Sequence, residues 1–134
     1  MADTVTSQTI QDGERTAILK FTNESDGTGE ASVKKVDVSA LTTNSRGEAC
    51  TSVSISRIYW ACRGMGVDIE FDATTNVLAI PLPADSTGDE YYDLFTGIPN
   101  NAGSGVTGDI DFTTVAHSNG DAYSIILVLT KNYS

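Results

Sequence analysis

The sequence predicts an all-β protein, a single-domain antiparallel β-sandwich or jelly-roll-like barrel of about eight or nine strands. Short runs rich in β-branched residues recur between clusters of Gly, Asn, Asp and Pro, which is typical of such folds. Apolar and polar residues alternate in several runs, most clearly in GVDIEFD (66–72). No apolar stripe of helical spacing extends over a dozen residues. At 134 residues, the chain 1–134 is expected to form one domain with one core.

The first two strands are expected at TVTSQTI (4–10) and RTAILKFTN (15–23). Asp12-Gly13 between them favours a tight turn. The N-terminal strand has an alternative role, because residues 1–12 are also suited to an arm that adds to a neighbour's sheet.

The next two strands are expected at SVKKVDVSAL (32–41) and TSVSISRIYWAC (51–62). In the first, alternation places Val36, Val38 and Ala40 on one face. The second is the longest β-prone run of the chain.

A hairpin is expected from GVDIEFD (66–72) and VLAIPLP (77–83). Residues 84–105 are predicted to form a long ordered connection, because they contain several aromatic residues. The last strands are expected at 106–115 and 122–131, with Asn119-Gly120 between them as a hairpin turn. The apolar run in 122–131 predicts a strand that is buried on both faces.

The charge distribution argues against nucleic-acid binding. The chain has a net charge of −10, and seven of its eight basic residues lie between Arg15 and Arg63. Residues 64–130 contain ten acidic residues and no Lys or Arg. Affinity for phosphates requires Lys and Arg, so this half is expected to face solvent or a basic protein partner.

The alternating acids of GVDIEFD are expected to form the wet face of a strand. Asp68, Glu70 and Asp72 would be spaced by roughly 6.5–7 Å, which is too far for one metal ion. Asp109 and Asp111 repeat the pattern, so their strand is expected to border the same acidic surface.

No catalytic or cofactor motif is present. His117, the single histidine, lies beside a turn, and no G-x-S-x-G surrounds a serine. An acid pair Asp68–Glu70 would need a sugar cleft lined by Arg or Trp, but residues 64–130 contain no basic residue to hold a substrate and Trp60 is the only tryptophan. Cys62 lacks a persuasive base, and the glycine-rich loops lack a P-loop lysine. The sequence therefore predicts a protein that is not an enzyme and binds no metal or cofactor.

The two cysteines are expected to remain reduced. If the segment between Cys50 and Cys62 is one strand, their separation is about 35 Å, far beyond the reach of a disulfide. The N-terminal segment has neither a basic region nor a long apolar core, and no run is long enough to cross a bilayer. We therefore expect synthesis in a cytoplasm and no membrane partner.

Four segments resemble small virion structural proteins of tailed bacteriophages, including marine and cyanobacterial phages. They are MADTVTSQTIQDGERTAILKFTNESDGTGE (1–30), VDVSAL (36–41), VDIEFDATTNVLAIPLP (67–83) and GIPNNAGSGVTGDIDFTTVAHSNGDAYSIILVL (97–129). The stretch from Cys50 to Cys62 departs from the pattern. The resemblance implies a non-enzymatic component of the virion, made in the host cytoplasm.

Within that resemblance, a capsid decoration (cement) protein is favoured, since a short domain without shaft or repeat suits a cap on the shell. Its partners would be the major capsid protein and copies of itself, with a trimer as the form of self-association that the resemblance suggests. The expected contact residues are Tyr91, Tyr92, Phe95, Ile98, Arg15, Lys34 and Lys35. An equal alternative for the first four, which belong to the segment 84–105, is that they only cover one end of the sandwich.

Two other functions are alternatives. A neck, tail or fibre component would have the same fold in fewer copies. A carbohydrate-binding or adhesion module would use an exposed aromatic residue such as Trp60, Tyr91 or Tyr92.

Overall fold

The computed structural model describes residues 3–92 and 97–133, and these residues form a two-sheet antiparallel β-sandwich. The five-stranded sheet has the order β1-β2-β9-β4-β7, and the four-stranded sheet has the order β3-β8-β5-β6. In the described residues the sheets keep open edges, so the sandwich form is confirmed and the closed barrel is not. The strands are β1 (Thr4–Asp12), β2 (Thr16–Glu24), β3 (Val33–Val36), β4 (Ser52–Arg63), β5 (Gly66–Phe71), β6 (Val77–Leu82), β7 (Thr87–Tyr91), β8 (Ile110–Val115) and β9 (Ala122–Asn132).

The core lies between the two sheets and is built from alternate residues of their strands. Buried and half-buried residues alternate along β2, β5 and β9, as period-2 geometry requires. At its centre, Phe112 of β8 makes edge-on contacts with Phe21 (centroids 5.4 Å apart) and Tyr123 (5.8 Å). These aromatic contacts join the two sheets, since Phe21 and Tyr123 belong to the five-stranded sheet.

Two expected pairings between consecutive strands are confirmed. β1 and β2 form a hairpin, in which Gly13 N–H donates to the carbonyl of Thr16 (2.9 Å). β5 and β6 also pair directly, as the sequence predicts.

The expected strand 32–41 is wrong in its second half. β3 ends at Val36, and Val38–Ala40 forms a 3₁₀-helix. The helix begins at Asp37, whose carboxylate accepts a hydrogen bond from Ser39 N–H (3.0 Å). Val36 and Val38 are buried as expected, but Ala40 is exposed. A short polar residue capping the backbone therefore overrides the alternation.

The expected connection 84–105 contains a strand that the sequence did not reveal. β7 pairs with β4 at the edge of the five-stranded sheet. Most of its residues are exposed, so it carries no apolar alternation. The sequence therefore gives no local signal of this strand, since its backbone hydrogen-bonding groups are the same as those of any other segment.

The expected hairpin of the last two strands is wrong, because β8 and β9 belong to different sheets. The turn itself forms, with Asp121 N–H donating to the carbonyl of Ser118 (3.1 Å). It is held by the end of β2, since Ser25 exchanges backbone hydrogen bonds with Gly120 (2.9 Å) and Asp121 (2.7 Å). The chain therefore crosses from one sheet to the other at this point.

The expectation that β9 is buried on both faces is also wrong. Its inner face is fully buried, while residues on its outer face, including Ile126 and Val128, are half-buried. The β9 strand lies inside the sheet between β2 and β4, but no second layer of described residues covers its outer face.

Candidate functional site

An arginine and two tyrosines lie together on the outer face of the five-stranded sheet. Arg57 and Tyr59 of β4 flank Ile58, which is fully buried, so their side chains point away from the core. In the neighbouring strand β7, Tyr91 lies opposite Arg57, and Asp89 lies opposite Tyr59. We call these four residues, Arg57, Tyr59, Asp89 and Tyr91, the Arg57 cluster.

The guanidinium of Arg57 is fixed from three sides. Its Nε and Nη2 atoms donate to the two carboxylate oxygens of Asp89, at 3.0 Å and 2.8 Å. The ring of Tyr59 lies 4.8 Å from the guanidinium carbon, and the ring of Tyr91 lies 5.2 Å from it. A bidentate ion pair and two cation–π contacts therefore hold one long side chain in a single geometry.

The ion pair alters the acidity of both partners. The hydrogen bond from Arg57 lowers the pKa of Asp89 below its ordinary value, and the same bond raises the pKa of Arg57. Both side chains remain accessible, at 36% for Arg57 and 41% for Asp89. The pair is therefore ionised at neutral pH and open to solvent.

The Arg57 cluster contains residue types that are enriched at protein interfaces. Tyr and Arg are enriched among the residues that dominate binding at protein interfaces, Tyr because its rigid ring buries a large area and Arg because its guanidinium donates several hydrogen bonds and stacks on rings. Tyr91 is 59% exposed, so much of its ring is free for a partner. Half-buried Ile126 and Val128 of β9 adjoin Tyr59 and Arg57 in register, which extends the patch with apolar surface.

The expected aromatic contact residues fall into different environments. Tyr91 is exposed, whereas Tyr92 is half-buried and its backbone N–H donates to the carbonyl of Ser56 (3.0 Å). Ile98 packs against the core and exchanges backbone hydrogen bonds with Ile55 (2.8 and 3.0 Å). Phe95 lies outside the described residues. Tyr91 is therefore the most accessible of the three expected residues that the structure describes.

The expected basic contact residues also differ. Arg15 is exposed. Lys34 is 52% exposed and forms an ion pair with the buried carboxylate of Asp109 (3.0 Å). The side chain of Lys35 is only 8% exposed and pairs with Glu30, which also accepts a hydrogen bond from Tyr123 (2.6 Å). Lys35 therefore stabilises the interior, and only Arg15 and Lys34 remain accessible to a partner.

Trp60 is not an open aromatic platform. Its indole packs against the core, and its Nε1–H donates to the hydroxyl of Ser86 (3.0 Å). Gly88 of β7 lies so close that a Cβ atom there would meet the indole at 2.4 Å. A sugar ring stacking on Trp60 would therefore have to displace its neighbours.

The acidic residues of β5 lie beside Asp109 and Asp111, but the expected shared acidic surface is wrong in part, because Asp109 (4% exposed) and Asp111 are buried. Glu70 lies opposite Asp111 in the β5–β8 pair, and its carboxylate accepts hydrogen bonds from Thr113 (3.0 Å) and Ser32 (3.2 Å). Asp68 and Glu70 are half-buried. Burial, followed by the neighbouring charge of Glu70, raises the pKa of Asp68.

Asp111 departs from the expected wet face, because it is only 3% exposed. One carboxylate oxygen accepts a hydrogen bond from the amide of Asn76 (3.0 Å), and the other has no partner. Burial first, and then interaction with Asp72, raise the pKa of Asp111 to about 6. Within the described residues, no group of three or more His, Cys, Asp and Glu side chains is arranged to hold a metal ion.

The remaining candidates for chemistry have structural environments. His117 Nδ1 lies 3.1 Å from the hydroxyl of Thr114. Cys50 and Cys62 are free and buried, in agreement with the sequence, and burial raises the pKa of both thiols. Across residues 3–92 and 97–133, no helix has the length and apolar character needed to span a membrane.

Sequence reasoning missed the Arg57 cluster as a unit. The alternation of Arg57 and Tyr59 in β4 was available as a signal, but their partners Asp89 and Tyr91 lie in the strand that the sequence did not reveal. No family model matches the chain, and no curated protein matches it significantly. The fold and the Arg57 cluster thus define a β-sandwich with an exposed patch suited to protein contacts.

Proposed function

We propose that this protein is a non-enzymatic structural component of a tailed-phage virion, which decorates the capsid shell and stabilises it through protein–protein contacts. The observation that carries the proposal is the Arg57 cluster, a preorganised patch of interface-type residues on an open sheet face. Support also comes from the four segments that resemble phage virion proteins. The partners would be the major capsid protein and further copies of this chain.

The preorganisation of Arg57 favours tight binding at low cost. A free arginine loses much rotamer freedom when a partner fixes it, whereas Arg57 is already held by Asp89, Tyr59 and Tyr91. A carbonyl or carboxylate of the capsid protein would meet guanidinium N–H groups that Asp89 leaves open. The exposed ring of Tyr91 would supply apolar contact area beside them.

Electrostatics adds a second, weaker contribution. The acidic half of the chain favours a basic patch on the shell, and the accessible Arg15 and Lys34 favour acidic neighbours. Such contacts weaken as ionic strength rises, since screening acts over about 10 Å at 0.1 M salt. Binding that is unaffected by salt would remove this contribution from the proposal and leave the Arg57 cluster as its basis.

The first experiment measures the number of copies of this chain per purified virion by quantitative mass spectrometry against the major capsid protein. Hundreds of copies are expected for shell decoration. About a dozen copies would contradict decoration and support a neck or tail position. Complete absence from the virion would overturn the proposal.

The second experiment tests the Arg57 cluster by binding variants to particles that lack the chain. We expect R57K and Y91A each to weaken binding about tenfold or more, because lysine forms neither the bidentate pair nor the planar stacking. R46K is the matched control, since Arg46 is exposed in a loop on another part of the surface. Equal binding of R57K, Y91A and R46K would exclude the Arg57 cluster as the contact.

A glycan array with the same variants separates the alternative function. Saturable glycan binding that is lost in Y91A, together with no binding to particles, would favour an adhesion module over decoration.

A further inference from the structure

The four strands at the edges of the two sheets are protected unequally. β3 has four residues and carries Lys34 and Lys35. β6 contains Pro81, and the five-residue β7 carries Asp89 and Glu90. Short length, charge and proline are the features by which proteins prevent an edge strand from pairing with another chain.

The remaining edge strand, β1, lacks these features over most of its length. It has nine residues, and from Thr4 to Gln11 it contains no charged residue, proline or glycine. Thr4–Thr9 pairs with β2 in unbroken register, and an irregularity follows between Thr9 and Gln11. We call Thr4–Thr9 the free edge. Along it, alternate residues direct backbone N–H and C=O groups away from β2, as in any antiparallel edge strand.

The inner face of β1 is also uncovered. Val5, Ser7 and Thr9 lie opposite Asn23, Phe21 and Leu19 of β2, which all face the core. All three β1 residues are nevertheless exposed, with Val5 at 46%.

A groove separates this face from β3 of the other sheet. Val5, Phe21 and Val33 are among the residues that line it. The four-stranded sheet therefore does not reach over β1, and both the edge and the inner face of this strand are open.

We propose that the free edge pairs antiparallel with the free edge of a second copy of this chain, across a two-fold axis. Pairing would satisfy the outward backbone groups of both strands and cover Val5 in both copies. A register centred on Ser7 would place Val5 opposite Thr9 of the other copy. The two five-stranded sheets would then form one continuous sheet.

The free edge is a surface on which two copies of this chain can meet without charge repulsion. Two chains with a net charge of −10 repel each other over most of their surfaces, and the free edge is a neutral place where they can meet. On the adjacent β2, Lys20 and Glu24 lie opposite Gln8 and Thr4 and carry charges of both signs. A charged strand would find no complementary charge on the free edge, whereas the uncharged edge strand of a second copy would meet it without repulsion and could satisfy its open backbone groups.

This inference deepens the proposed function by naming the surface through which copies associate, and it rests on that function only for its role on a particle. The test uses the purified 134-residue chain in solution, measured by sedimentation equilibrium over a range of concentrations. We expect a species of about twice 14.2 kDa that dissociates on dilution. Particle binding is measured separately, so failure of self-pairing is distinguishable from failure of the decoration role.

The variant T6K/Q8K places lysines on the outer side of the free edge, where they would face their counterparts in the second copy. We expect it to remain monomeric, with a Tm close to that of the unchanged protein, since both residues are exposed. The matched control T75K/T87K adds the same charge at two exposed positions outside β1 and is expected to remain dimeric.

Hydrogen exchange gives an independent measurement of the same surface. Amides of the free edge are expected to become protected as the concentration of the unchanged protein rises, and those of β7 are not. A monomer at all concentrations, a trimer, or a dimer that persists in T6K/Q8K would each overturn the proposal.

Discussion

Lys131, near the end of β9, buries its ammonium group against the carboxylate of Asp12 at the end of β1. The side chain of Lys131 has no solvent exposure, and Nζ also donates to the carbonyl and hydroxyl oxygens of Thr42, at 3.2 Å and 3.0 Å. The contact joins β9, the last residue of β1 and the segment after the 3₁₀-helix. A buried ammonium with three oxygen partners is satisfied. Removing any one partner would leave part of the desolvation cost of the Lys131 ammonium uncompensated.

We predict that K131A lowers the free energy of unfolding by about 3–5 kcal/mol at pH 7, since it leaves Asp12 without its buried counter-charge. Urea denaturation measures the change. K20A is the control, because Lys20 is half-buried on the outer face of β2, and its cost is expected to stay below about 1 kcal/mol. Equal effects of K131A and K20A would contradict the prediction.

The same contact predicts an acid sensitivity. Burial alone would raise the pKa of Asp12, but the hydrogen bonds from Lys131 and Thr42 outweigh it and lower the pKa below 3.8. A lowered pKa gives stability that is present above the unfolded pKa and is lost as pH falls through the folded pKa. The difference in free energy of unfolding between the unchanged protein and K131A should therefore narrow as pH falls from 6 to 3. If the difference in free energy of unfolding between the two proteins stayed constant over this range, the ionised carboxylate of Asp12 would not be its source.

Asp111 predicts a pH dependence of opposite sign. Its pKa is raised from 3.8 to about 6, so its contribution is fully favourable below the unfolded pKa and is lost as pH rises through 6. We expect D111N to raise the free energy of unfolding by about 1–2 kcal/mol at pH 8 and by much less at pH 4, after allowance for solvent screening. Urea denaturation at both pH values measures this change in the free energy of unfolding. E24Q is the control, because Glu24 is an exposed carboxylate. If D111N raised the free energy of unfolding equally at both pH values, the raised pKa of Asp111 would not be the cause.

Gly88 and Trp60 predict a packing effect that fluorescence reports. Because a Cβ atom at Gly88 would meet the indole at 2.4 Å, G88A should displace Trp60 and lower the free energy of unfolding by about 1–3 kcal/mol. The emission of this single tryptophan should shift to the red as the ring gains solvent. G103A is the matched control, since nothing lies within 4 Å of a Cβ there. An unshifted spectrum in G88A would show that Trp60 has room to adapt.

The two thiols predict slow reaction with a thiol reagent. Cys50 and Cys62 are 3% and 7% exposed, and burial raises the pKa of each, so little thiolate forms at pH 8. We expect neither to react within minutes in the folded protein and both to react in denaturant. C62S should leave one reactive thiol after unfolding. Rapid reaction in the folded state would contradict the burial of these residues.

The local pattern was sufficient to predict individual strands where one face is buried. β2 and β5 follow their alternation, because burying one face of a strand places every second side chain in the core. It was insufficient for β7, where exposed residues carry no such pattern, and for residues 38–40, where the carboxylate of Asp37 stabilises a 3₁₀-helix.

The candidate site was likewise predictable from the sequence only in part. Alternation in β4 places Arg57 and Tyr59 on one face, but the ion pair joins residues 32 positions apart in the chain. Among the expected basic contact residues, Lys34 and Lys35 are adjacent lysines. Lys34 is exposed and the side chain of Lys35 is buried against Glu30, because an irregularity in the register of β3 between Lys34 and Val36 interrupts the alternation, and the side chains of Lys35 and Val36 are both buried.

The sequence by itself determined the class of fold, the position of most strands, the inward residues and the absence of a short catalytic motif. The tertiary structure alone decided which strands share a sheet, that β8 and β9 separate, and that β4 meets β7 to assemble the Arg57 cluster. The physical reason is that side-chain polarity specifies which face of a strand is buried. The hydrogen bonds that select its neighbours come from backbone groups that are the same in every strand.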